Sequence, residues 1–282
     1  MALTDFGGVG PRMFQQLLMR LGPPENLLQA TPHEFEDIPR LGEIGSRRIL
    51  RSLDRVGQYR SRLDEYTDEG IQVTTFLDED YPELLRQIDD PPPILYTKGN
   101  RDVLRLEYVA MVGTTQATQR GLRLAVDLAR EFARRGYGIV SGLAKGIDSA
   151  SHLGALKENG STIAVLGCGI QNIYPADNLG LSERIARNGL LVSEYQPSRR
   201  VKAAGLILRN RLISAFSRAV VVVQVGLQRR GELRTAQYAI KQARPVFYAD
   251  PEGILDHETI RSTGGVIIDG VDSVDEVIKY MV

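Results

Sequence analysis

A single cysteine, Cys168, among 282 residues leaves no partner for an intrachain disulfide and excludes a metal site built from several cysteines. Reducing surroundings suit such a chain. No stretch approaches the ~18 consecutive apolar residues of a membrane span, and Met1 to Asp5 lacks the basic-then-apolar build of a signal peptide. A cytoplasmic location without a membrane partner is expected. Net charge is also lacking, since 35 basic side chains balance 35 acidic ones, so global electrostatics do not announce a polyanion partner. Two phosphate motifs are missing as well. Without G-x-G-x-x-G a nicotinamide or flavin cofactor is not expected, and without a loop ending in Gly-Lys-Ser/Thr neither is ATP hydrolysis by that route. The expectation is no cofactor, no metal and no catalytic residue.

What is present is ordinary in bulk and organised in detail. At 43% hydrophobic and 25% charged, the chain has ample material for a core, and its length suits two unequal domains. Residues 1–70 read as a small all-α domain, with Phe14, Leu17, Leu18 and Leu21 at helical spacing. Gly8-Val9-Gly10 before Pro11, and Leu41-Gly42-Glu43-Ile44-Gly45 before Ser46, look like glycine hairpins preceding helices, with Arg47, Arg48 and Arg51 just beyond the second. Glycines there open room for phosphate at helix N-termini, as in a helix-hairpin-helix unit. The acidic Glu34, Glu36, Asp37 and Glu43 nearby suit a SAM-like helical domain that binds protein instead, and both readings stand. Asp64 to Gly70 reads as a polar linker, and Pro91-Pro92-Pro93 as a stiff extended passage.

Residues 71–282 change character, placing a domain boundary near residue 70. Apolar runs at Tyr108–Val112, Gly138–Ser141, Thr162–Leu166, Leu190–Ser193, Ala219–Val223, Val246–Tyr248 and Val266–Ile268 read as buried parallel strands. Helical periods alternate with them, from Arg120, Ser149, Leu181, Thr235 and Ser273 onward. The fold class is therefore α/β, an extended, doubly wound, mostly parallel Rossmann-like sheet whose ligands gather at the C-terminal strand ends.

Those strand ends carry the candidate site. Gly113-Thr114-Thr115 follows one strand and offers amides and hydroxyls. Ser141-Gly142-Leu143-Ala144-Lys145-Gly146-Ile147-Asp148 follows the next, where glycines allow close approach, Lys145 adds a point charge and the following helix presents unpaired N–H groups. Asp148 is expected to cap that helix, and His152 one turn on, although within reach of Asp148, reads as a packed or capping histidine. Cys168 reads as a small buried apolar residue, and Glu194 as an acid able either to orient a basic residue or to meet a ligand. Between Pro197 and Arg234 the basic residues Arg199, Arg200, Lys202, Arg209, Arg211, Arg218, Arg229, Arg230 and Arg234 face one acid, Glu232. Within this run Arg209-Asn210-Arg211 is suited to gripping successive phosphate oxygens at a helix start.

In order and spacing, SGLAKGID with His152, TIAVLGCG, IYPADN, SEY and RNRLI resemble the core of the DNA-processing protein A (DprA/Smf) family from about Phe76 to Tyr248. The resemblance implies a helical N-terminal domain, a Rossmann-like domain binding single-stranded DNA, a homodimer, and help in loading RecA during natural transformation. It further implies that Lys145, Arg209 and Arg211 grip phosphate while Gly142 and Gly146 shape the turn. The sequence departs from the family pattern at four places. Thr115 stands where an arginine is expected, Leu206-Ile207-Leu208 where an aromatic and a proline precede the RNR triplet, Gln224 where a glutamate ends a strand, and Arg230-Gly231-Glu232-Leu233 where Ser-Gly-Ser-Leu is usual. Arg199, Arg200, Arg229 and Arg230 offer compensating charge. Two further readings remain open. One is a SLOG-type nucleotide-binding or phosphoribohydrolase-like protein, although the segment after Gly231 lacks the catalytic glutamate such hydrolases carry. The other is a degenerate paralogue serving as an interaction scaffold.

Overall fold

The computed structural model describes residues 1–35, 38–226 and 231–281 and divides into two compact units, Met1–Leu95 and Tyr96–Val282. Arg229, Arg230, Glu36 and Asp37, all weighed above, lie outside the described residues. No helix among the described residues is long and apolar enough to cross a membrane.

The first unit holds α1 (Ala2–Asp5), α2 (Pro11–Leu21), α3 (Gly42–Leu53), α4 (Val56–Asp68), β1 (Ile71–Thr75) and α5 (Glu83–Arg86). Helix α2 starts where Pro11, with its fixed φ and missing N–H, occupies the first helical position. Phe14 and Leu17, three residues apart on its inner face, pack with Leu27, Phe35, Ile38 and Ile49. Two expectations are corrected here. Gly42 opens α3, so Glu43, Ile44 and Gly45 are helical rather than part of a hairpin, and Ser46 Oγ donates to Gly42 O at 2.9 Å. The acidic stretch from Asp64 continues α4 as far as Asp68 instead of forming a linker. Arg47 is held by Glu43 one turn earlier, a pair so exposed that it adds little stability.

The second unit contains β3 (Tyr108–Gly113), α6 (Gln119–Arg134), β4 (Gly138–Ser141), α7 (Ile147–Lys157), β5 (Thr162–Leu166), α8 (Leu179–Asn188), β6 (Leu190–Ser193), α9 (Ala203–Leu208), α10 (Asn210–Ala215), β7 (Ala219–Val223), α11 (Glu232–Lys241), β8 (Val246–Ala249), α12 (His257–Thr263), β9 (Val266–Ile267) and α13 (Val274–Lys279). The sheet runs β2-β6-β5-β4-β3-β7-β8-β9, with β2 (Ile94–Gly99) as the antiparallel member, pairing Tyr96 with Ser193. The remaining pairings are parallel. Helices cover the faces of a parallel sheet, which is why β7 reads Ala-Val-Val-Val-Val and is buried throughout. Against β3 and β7, Ala125, Leu128, Ala129 and Phe132 of α6 close one layer of the core. Full burial of each large apolar side chain contributes ~1.5–3 kcal/mol.

Strand order locates the site. From β3 the chain steps through β4 and β5 to β6, then returns by α9 and α10 to place β7 on the opposite side of β3. Ala110 of β3 is therefore registered with both Val140 of β4 and Val220 of β7. The connections leaving β3 and β7 diverge above this point, opening a crevice at the C-terminal strand ends. Two non-glycine residues in the left-handed region sit at these ends, Leu143 (φ 61) after β4 and Gln224 (φ 56) after β7. Strain of this kind, about 1–3 kcal/mol per residue, persists where surrounding bonds over-determine the backbone.

Candidate functional site

The crevice is a cavity of about 430 Å³ whose walls include Gly113, Thr115, Gly142, Lys145, Arg209 and Asn210. Six of the ten sequence-selected residues thus meet in one place. Thr114 and Ser141 lie in the supporting layer, where Ser141 Oγ donates to Met111 O at 2.6 Å, tying β4 to β3. Thr114 Oγ1 accepts from Gln116 N, and its carbonyl accepts from Ile147 N. Gly146 turns the chain into α7 at φ 76, and a Cβ there would strike the backbone of Thr114 and Thr115. That close approach is what the glycine is for.

The loop between β4 and α7 is bound from three directions. Asp148 does not cap α7 as expected, because the helix begins at Ile147 with Gly146 in the cap position. Its carboxylate reaches back across the loop, accepting from Gly142 N at 3.1 Å and Ala144 N at 3.3 Å. Asn178 Nδ2 donates to Leu143 O and to Ser149 Oγ, and Ser149 Oγ donates to Ala144 O. Burial pushes the Asp148 carboxyl above its usual range, opposed chiefly by the positive field of Arg209. No Asp148–His152 pair forms, and His152 is instead the packed histidine that a lone one on a helix more often is. His152 is fully buried on Thr162, with Nδ1 2.7 Å from Oγ1. Since Thr162 Oγ1 donates its proton to Ile139 O, His152 Nδ1 must be the donor, which leaves Nε2 bare and without a partner.

Arg209 and Arg211 differ most from the expectation of exposed phosphate grips. Arg209 joins α9 to α10 and is only 5% exposed. Its Nη1 donates to Gly142 O and, at 2.5 Å, to Val165 O, so the guanidinium joins the ends of β4 and β5, while Nε lacks a protein partner. Desolvation depresses its basicity, and Asp148 is the main opposing influence. Arg211 lies off the cavity and is held by Glu194 at 2.7 Å, with Arg211 buried and Glu194 mostly so. Glu194 thereby takes the orienting role. Burial answers the question that residue type could not. Cys168 is buried as expected, its thiol donating to Asn172 O at 2.9 Å and pushed up in pKa by desolvation.

Exposed positive charge in the cavity comes from Lys145, which is 58% exposed, and from Arg234, read in sequence only as one member of the basic run. Arg199 stacks instead on Tyr195 at 4.1 Å. Lys145 is paired with Asp177, whose carboxylate holds the ammonium above its ordinary pKa. An incoming anion must displace this carboxylate. Replacing Asp177 with Asn is therefore expected to raise anion affinity about twofold, as suits an exposed pair, and a titration of the variant with oligonucleotide checks it. An unchanged or lowered affinity would show that Asp177 does not compete. Tyr174 and Glu232 also line the cavity and were not selected from sequence. Among the described residues, no group of three or more His, Cys, Asp and Glu side chains is placed to hold a metal ion.

A doubly wound, mostly parallel sheet with a glycine-shaped turn and a cavity at its switch point defines a Rossmann-like protein. Comparison with known proteins narrows this. The chain belongs to the DNA recombination-mediator protein A family, whose model matches residues 72–279. It is 36% identical over 251 residues to protein Smf of Synechocystis sp., covering 88% of this chain and 63% of that protein. To DNA processing protein DprA of Bacillus subtilis it is 39% identical over 195 residues, covering 69% and 65%. The chain thus spans a little under two thirds of the length of these relatives. Among solved structures, DprA from Streptococcus pneumoniae aligns with a TM-score of 0.82 at 29% identity, covering 98% of this chain and 95% of that one. DNA processing protein A from Helicobacter pylori, solved to describe its single-stranded DNA binding mode, aligns with a TM-score of 0.66 at 30% identity, covering 74% and 96%.

Proposed function

We propose that this chain binds single-stranded DNA through the cavity at the ends of β3, β4 and β7, and performs no chemistry of its own. The observation that carries the reading is the assembly, in a member of the recombination-mediator family, of the Gly142–Gly146 turn, Lys145 and Arg234 in one cavity. Phosphate oxygens suit such donors, and recognition through them reads backbone rather than base. Arg209 acts here as the rigid support that fixes Gly142, with Arg211 and Glu194 bracing the segment behind it. Thr115 contributes a hydroxyl or amide and Asn210 a polar side chain at the cavity wall, while Thr114 supports the turn beneath them. Downstream, the bound strand is protected and delivered to RecA, with the protein acting as a homodimer, in the cytoplasm.

Fluorescence anisotropy with single- and double-stranded oligonucleotides of one sequence tests the reading. Tighter binding of the single strand, without shortening of either oligonucleotide, supports it. Equal affinity, absence of binding, or cleavage contradicts it.

A second reading, capture of a free nucleotide, is favoured by the cavity volume of about 430 Å³, within the ~300–1,000 Å³ range of small-molecule sites. Release of free base from a nucleoside monophosphate, or its tight binding in competition with oligonucleotide, would favour that reading.

A further inference from the structure

The cavity lining combines cations, Lys145 and Arg234, with apolar and aromatic side chains. Tyr174 and Ile207 line it while remaining 48% and 51% exposed, and Pro175 and Leu206 line it beside them. Large apolar surface left in water at a cavity wall stabilises nothing in the free protein. Tyr174 and Lys145 both line this cavity. The aromatic ring and the ammonium therefore border the same space. A nucleotide is amphipathic in the same sense, with an anionic phosphate on one side and a flat π-face on the other, and every base offers that face.

Resting on the single-strand reading above, we propose that Tyr174 is the base platform of this site. The base attached to the phosphate held at Lys145 stacks on the Tyr174 ring, and Ile207 and Leu206 complete the apolar surround. The RNR segment carries Leu206-Ile207-Leu208 and so has no ring to offer. Stacking accounts for sequence-tolerant affinity without requiring hydrogen-bond readout of base edges.

The test uses the full chain and two oligonucleotides of equal length, one of thymidines and one with the same backbone and abasic sugars. The wild-type protein is expected to prefer the base-bearing strand about tenfold. In Tyr174→Ala that preference disappears while the salt dependence of binding stays as in the wild type. Tyr174→Phe keeps the preference, because the ring and not the hydroxyl carries it. Equal wild-type affinity for both strands, or a preference surviving in Tyr174→Ala, overturns the assignment while leaving phosphate binding intact. Failure of the wild type to bind either strand overturns the single-strand reading itself, and the platform with it.

Discussion

Arg209→Ala is expected to destabilise the second unit by about 3–5 kcal/mol, the range for deleting one member of a buried charged arrangement. The guanidinium is 5% exposed and donates to Gly142 O and Val165 O, with Asp148 as its main opposing charge. Alanine leaves both carbonyls short of a donor and the Asp148 carboxylate without that field, in a space that water enters poorly. At roughly 2–4 °C per kcal/mol for a unit of this size, the melting temperature should drop by about 6–20 °C. Arg209→Lys should recover only part of the loss, since a compact, strongly hydrated ammonium costs more to bury than the delocalised guanidinium. Thermal unfolding followed by circular dichroism reads both variants. A shift under about 2 °C for the alanine variant would show that the strand ends hold together without Arg209.

Acid should destabilise the fold through His152, whose full burial, with a smaller contribution from Arg209, pushes the imidazole down to about 3. In the unfolded chain the ring regains its ordinary pKa of about 6.5 and takes up a proton below that value, which the folded state refuses. Stability from this group is therefore complete above about pH 6.5 and falls as pH drops toward 3, reaching a loss of about 2 kcal/mol by pH 5. His152→Asn places an amide N–H where Nδ1 donates to Thr162 and removes the titration. Urea unfolding at pH 7 and pH 5 should show a smaller pH dependence in the variant, whatever its absolute stability. Identical dependence in both proteins would mean that His152 protonates equally in the folded state.

Sequence reached the architecture through its β-branched runs and the loop between β4 and α7 through its glycines. Ala219–Val223 could hardly be anything but a buried strand, and Gly142 with Gly146 marked the turn. Strands β1 and β2 went unread because Ile71-Gln72-Val73-Thr74-Thr75 and the polar end of Ile94–Gly99 mix apolar and polar residues without a continuous apolar run. Charged side chains were the harder problem. Arg209, Arg211 and Lys145 look alike on paper, yet two are buried against carbonyls or a carboxylate and one is in solvent. Burial depends on which elements pack above a residue, and that is set by connections from distant strands. Asp148 misled for a related reason, since a carboxylate near a helix start serves equally as a cap or as a latch on the preceding loop.

The salt dependence of single-strand affinity bears most directly on the pocket as a phosphate site. Each phosphate neutralised contributes a slope of about −0.7 in log affinity against log salt, so replacing Lys145 and Arg234 together by alanine should flatten the wild-type slope by about 1.4. A wild-type affinity indifferent to salt, or a slope unchanged in the double variant, would mean that the single strand is not held by the cations of this cavity.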